Sequence, residues 1–75
     1  MNTHRLDVPR LYRALQWALY LRQESWQDLA DVTGVGRSAF TRMRHGHAPS
    51  AHHLVSLLAW LGQEDNLSEY VIKES

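Results

Sequence analysis

The basic and hydroxyl side chains in the middle of the chain are the groups best suited to bind a ligand. Arg37, Arg42 and Arg44 lie close together, and no Asp or Glu occurs from residue 32 to residue 63. Four of the five histidines fall in the same stretch. Guanidinium and hydroxyl groups donate hydrogen bonds to phosphates and to the edges of bases. The stretch therefore predicts a polyanionic partner, with an ordinary solvated surface as the alternative.

The net charge of zero hides this local excess of positive charge. Basic residues dominate positions 1 to 23 and 32 to 63, whereas acids dominate positions 24 to 31 and 64 to 75. The position of the charges therefore says more about a partner than their sum.

Other kinds of chemistry find little support in a chain of 75 residues without cysteine. A domain of this size has a marginal core and little room for a deep substrate pocket, so we expect neither an enzyme, nor a cofactor, nor a small-molecule ligand. The pairs His45-x-His47 and His52-His53 lack the i, i+4 spacing that aligns two imidazoles on a helix, so we expect no metal site. Without a signal peptide or an apolar run of about 20 residues, we expect a soluble protein of a reducing cytoplasm, with no membrane contact.

The elements that position these side chains are predicted to be helices. Apolar residues recur at helical spacing and no alternating strand pattern is seen, which predicts an all-α, compact bundle of four to five helices in a single domain spanning residues 1–75. Capping residues and glycines mark the boundaries. The expected helices are Val8 to Arg22 after the cap Asp7 with Pro9 in the first turn, Trp26 up to Gly34 after the cap Ser25, Arg37 to His45 ended by Gly46, and Ala51 up to Gly62 after the cap Ser50.

The third predicted helix divides into two unlike sides. Ala39, Phe40 and Met43 gather on one side, and polar or basic residues without any acid fill the other. We expect a core made of Leu15, Leu19, Leu29, Ala30, Val35, Phe40, Met43, Leu54, Leu57, Leu58 and Leu61.

Residues 25 to 46 resemble the helix-turn-helix of the lambda repressor and Cro class, also called the XRE family. The matching features are a capped helix with Leu29-Ala30, then Gly34-Val35, a polar pair, the apolar Phe40 and Met43, and a closing Gly46. The continuation also fits, and it runs through Pro49-Ser50, Leu54, Leu57-Leu58 and Leu61-Gly62. The resemblance covers roughly residues 8 to 62. It implies a lambda repressor-like fold and a small transcriptional regulator, a repressor or Cro-like protein, that binds a double-stranded DNA operator.

The resemblance also implies roles for individual residues. Those expected to contact base edges are Arg37, Ser38, Thr41 and Arg42, and those expected to contact phosphates are Gln27, Arg44, His45 and His47. The family often has Gln where this chain has Trp26, which moves that phosphate contact to Gln27 or to the N–H groups at the start of the helix. Arg44 stands where many relatives carry Glu. We expect Trp26 to pack in the core, with a role as a platform for base stacking as the alternative.

The tail, residues 63–75, is the predicted oligomer contact. Leu67, Tyr70, Val71 and Ile72 are apolar residues that a four-helix core need not use, so we expect a possible fifth helix and a weak homodimer. The alternative is that the tail folds back onto the first helix, with Trp60 covering part of it. The function has an alternative as well, namely a helix-turn-helix module that binds a protein, such as an antirepressor or a regulator subunit.

Overall fold

A computed structural model describes residues 3–62 and 70–74, which form four helices and two short strands. The predicted all-α bundle is confirmed, because the helices supply nearly all of its core. In chain order the elements are β1 (Thr3–Leu6), α1 (Val8–Arg22), α2 (Trp26–Thr33), α3 (Arg37–Arg44), α4 (Ala51–Leu61) and β2 (Val71–Glu74).

Local capping explains where the helices begin and end. The Asp7 side chain accepts a hydrogen bond from the Arg10 N–H at 3.2 Å, which starts α1 as predicted. At the start of α2, Ser25 and Asp28 form a reciprocal capping box with bonds of 2.8 and 3.1 Å. Ser50 caps α4 by accepting from the His53 N–H at 3.2 Å. The predicted third helix is one residue too long, because His45 is already its non-helical C-cap.

The core lies between α1 and the other three helices. α1 packs against α3 and α4, and α2 packs against the same two helices. Eight residues of the predicted core are buried, and Ala30, Leu54 and Leu61 are half-buried against it. The buried residues that the predicted core lacked are Val8, Leu11, Ala39 and Tyr70.

The two strands correct the expectation of a helical tail. β1 and β2 pair antiparallel, with Leu6 opposite Val71 and Arg5 opposite Ile72. The fifth helix is therefore wrong at Val71 and Ile72. Each strand has four residues, too few to show an alternating pattern, and its partner lies at the other end of the chain. The β-branched pair Val71-Ile72 suits the strand.

Tyr70 belongs to the core of its own chain. It is 3% exposed, and its carbonyl accepts a hydrogen bond from the Asp7 N–H at the start of α1. At Tyr70 the tail therefore folds back against the start of α1, which was the predicted alternative, and the dimer contact of Tyr70 stays a prediction. Leu67 lies outside the described residues. Trp60 lies under the Arg22 guanidinium, 4.1 Å from the ring centroid.

Candidate nucleic-acid interface

A three-residue turn, Gly34 to Gly36, joins α2 to α3. Gly34 adopts the left-handed conformation at φ 76°, and its N–H donates to the Ala30 carbonyl at 2.9 Å. Val35 follows with a fully buried side chain, and its N–H donates to the Thr33 hydroxyl oxygen at 3.3 Å. The Thr33 hydroxyl in turn donates to the Leu29 carbonyl at 2.7 Å. Buried Val35 and these bonds hold α3 in one position relative to α2.

A row of three aromatic rings sets the rotation of α3 about its own axis. Phe40 is 4% exposed, and its ring centroid lies 5.1 Å from that of Trp26. Trp26 stacks on Tyr12 of α1 at 4.9 Å with an interplanar angle of 19°. Trp26 therefore packs against the core, as expected. Since Phe40 anchors one side of α3 to both α1 and α2, the opposite side is turned to solvent.

That solvent side carries the predicted base-contacting residues. Arg37, Ser38, Thr41 and Arg42 are all exposed, as is Arg44 at the end of the helix. The Thr41 hydroxyl donates to the Arg37 carbonyl at 3.3 Å, which leaves its oxygen able to accept from a ligand. The side of α3 available to a partner is thus lined by arginines and hydroxyl groups, and no acid is among them.

Two shallow surface hollows border α3, and five of the predicted site residues line one or the other. Arg37, Thr41 and Arg44 line the first hollow together with the aromatic row Tyr12, Trp26 and Phe40. Arg42 and His47 line the second, beside Pro49, Ser50 and His53 at the start of α4. Ser38 and His45 line neither. Side chains able to donate hydrogen bonds therefore lie along both edges of the exposed side of α3.

The chain after α3 folds back on the end of the helix. The N–H groups of His45 and His47 both donate to the Arg42 carbonyl, at 3.0 and 2.9 Å, and Gly46 between them has φ 91°. This turn keeps both imidazoles, which are exposed, next to Arg44 at the C-terminal end of α3. The position agrees with contacts to a phosphate backbone that runs past that end.

Gln27 is less well placed for a phosphate than the other predicted contacts. Its side-chain amide donates to an Asp31 carboxylate oxygen at 2.9 Å, one helical turn further along α2. One of the two N–H donors of the amide is therefore bound and the other is left, and the neighbouring carboxylate repels an anion. Such i, i+4 pairs of Gln and Asp are a known local pattern, so the spacing alone could have revealed this bond.

Tyr12 and His53 are residues of the two hollows to which the sequence analysis gave no role in binding. Tyr12 lies beside the buried stripe of α1, where a half-buried side chain is expected. No local sequence pattern indicates which other helix Tyr12 packs against. The backbone N–H of His53 donates to the side chain of the cap Ser50, so His53 lies in the first turn of α4. Because the cap was recognisable in the sequence, this position beside the turn after α3 could have been predicted.

Metal and membrane features can be assessed only for the described part of the chain. Within residues 3–62 and 70–74, no group of three or more His, Cys, Asp or Glu side chains is arranged to hold a metal ion. The rings of His52 and His53 lie 6.1 Å apart, centroid to centroid. The helices of this part include none with the length and apolar character needed to cross a membrane.

Comparison with known proteins assigns no family to the chain. No protein family, no curated protein sequence and no solved structure matches the chain.

Proposed function

We propose that the chain is a sequence-specific DNA-binding regulator of the helix-turn-helix type, which inserts α3 into the major groove. The observation that carries the proposal is the exposed, acid-free side of α3, held outward by the burial of Phe40 on the other side. An α-helix with its side chains is about 10–12 Å in diameter, so the major groove, about 12 Å wide, can admit α3.

The proposed contacts follow from positions along α3. Arg37 and Ser38 lie in its first turn, and Thr41 and Arg42 lie one turn later on the same exposed side. Residues near the start of a recognition helix contact base edges, and an arginine there donates two bonds to guanine O6 and N7. We therefore assign base contacts to these four residues.

The phosphate contacts fall to residues at the end of α3 and after it. Arg44, His45 and His47 lie together there, and phosphate contacts orient a protein on the duplex without selecting a sequence. Gln27 keeps one amide N–H for a phosphate, but the Asp31 carboxylate beside it opposes that contact.

The salt dependence of binding tests whether the chain binds DNA at all. Binding to a generic duplex, measured by fluorescence anisotropy between about 50 and 200 mM salt, should weaken with a log–log slope of about −0.9 for each phosphate contact. A slope near zero would exclude a DNA-binding surface. It would favour the competing function, a helix-turn-helix module that binds a protein, for which the exposed Trp17 and Tyr20 of α1 are the supporting observation.

Two variants separate base contacts from phosphate contacts. On a site selected from random DNA, Arg37→Ala should weaken binding by about 1 to 3 kcal/mol and relax the base preference at one position. Arg44→Ala should weaken all sequences equally and make the salt slope shallower by about 1. Arg10→Ala is the matched control, because it removes one exposed positive charge from α1 without touching α3. Equal effects of the first two variants on every sequence would contradict the assignment.

A further inference from the structure

The outer side of α1 exposes three large apolar side chains. Trp17, Tyr20 and Leu21 are 61%, 72% and 61% exposed. At 100° per residue they lie opposite the stripe of α1 that enters the core. A single exposed apolar residue needs no explanation, but three together on one helical face form a patch, and such patches mark interaction surfaces.

Two of these side chains line a shallow hollow on the outer side of α1. The rings of Trp17 and Tyr20 stack with centroids 5.6 Å apart and an interplanar angle of 20°. Together with Arg13 and Gln16 they line a shallow hollow. These four residues are spaced i, i+3, i+4 and i+7, which is the spacing of the hole that receives a side chain in knobs-into-holes packing. Leu21 lies to one side of the hollow and extends the apolar face of α1.

We propose that this face of α1 binds the same face of a second copy of the chain, with the two helices antiparallel. A two-fold axis perpendicular to the helices, passing near the middle of the patch, then packs Trp17, Tyr20 and Leu21 of one copy against the same three residues of the other. The inference does not rest on DNA binding. It concerns the exposed face of α1, which contains none of the proposed DNA-contacting residues, and its test contains no DNA.

Charge favours the antiparallel arrangement. α1 contains arginines but no Asp or Glu, so parallel pairing would place like charges side by side. Antiparallel pairing instead brings Arg13 to the C-terminal end of the partner helix, where the helix dipole is negative and Glu24 follows. Arg22 at that end already interacts with Trp60, through its ring and its carbonyl oxygen.

The size of the patch predicts a weak dimer. A stable interface buries about 800 Å² per partner, and three side chains on a single helix offer less than that. We therefore expect self-association that depends on concentration, with a dissociation constant in the micromolar to millimolar range.

Sedimentation equilibrium measures this association directly. The parent should change from monomer to dimer between about 10 μM and 1 mM, whereas Leu21→Glu should stay monomeric or associate at least about tenfold more weakly. Val55→Glu is the matched control, because Val55 is 63% exposed on α4, and it should behave like the parent. A parent that is monomeric throughout, or a Leu21→Glu protein that pairs as well as the parent, would overturn the proposal.

Cysteine trapping tests the same interface without relying on a destabilising charge. The chain has no cysteine, so single substitutions report unambiguously. A mixture of Arg13→Cys and Glu24→Cys chains should oxidise to a mixed disulfide dimer faster than a mixture of Arg13→Cys and Val55→Cys chains. Equal rates in the two mixtures would rule out the proposed register.

Discussion

Replacing Phe40 by alanine tests the packing that orients α3. Phe40 is 4% exposed and contacts Trp26, so its loss removes a full core side chain and an aromatic pair. Substitutions of this kind cost about 3 to 5 kcal/mol. At 0.05 to 0.15 kcal/mol per residue, a 75-residue domain has a total stability of about 4 to 11 kcal/mol. Phe40→Ala should therefore remove a large part of the free energy of unfolding.

Urea unfolding followed by far-UV circular dichroism gives the size of the effect. With an m value of about 1 kcal/mol/M, the midpoint should fall by about 3 M or more. Val55→Ala is the control, since Val55 is 63% exposed and its truncation should change stability by less than about 0.5 kcal/mol. If Phe40→Ala moved the midpoint no further than Val55→Ala, Phe40 would not be in the core. The outward direction of the arginines on α3 would then lose its physical basis.

Three further predictions concern the turn, the tail and the acid beside Gln27. Gly34→Ala should lower stability by about 1 to 2 kcal/mol in thermal unfolding, because φ 76° strains a residue with a Cβ; an unchanged melting temperature would contradict the turn. Tyr70→Ala should cost about 3 kcal/mol or more, whereas a tail used only for dimer contact would leave the monomer unaffected. Asp31→Ala should strengthen DNA binding about two- to fivefold by freeing the Gln27 amide and removing a carboxylate. That gain should shrink in a Gln27→Ala background, and an equal gain in both would show that Gln27 makes no contact.

The four helices were predictable because their boundaries depend on local chemistry. Asp7, Ser25 and Ser50 act within three residues of themselves, and Gly34 and Gly62 end their helices by adopting a left-handed backbone. The identity of the exposed side of α3 followed equally from the helical period within eight residues. Predictions of this kind need no knowledge of what lies across the core.

The features that the sequence analysis missed depend on contacts between distant parts of the chain. The sheet joins Leu6 to Val71, and neither four-residue strand has a pattern of its own. The first hollow is likewise shared by Tyr12 of α1 and two arginines of α3, a neighbourhood set by the packing of three helices. Tyr70 is buried by contacts with residues far from it in the chain, which its own segment does not reveal.

DNA binding through α3 and self-association through α1 are independent proposals. Self-association would nevertheless help DNA binding, because a single copy reads too short a sequence. Base pairs are 3.4 Å apart along the duplex, so an eight-residue helix about 12 Å long reads only about four of them. A given four-base sequence recurs by chance about once in 256 base pairs, far too often for selective regulation. A pair of copies with both α3 helices on one duplex would read about eight base pairs, and a chance match then falls to about one in 65,000. A pairing too weak to persist in dilute solution suits this purpose, because two adjacent half-sites on DNA hold the copies together at high local concentration.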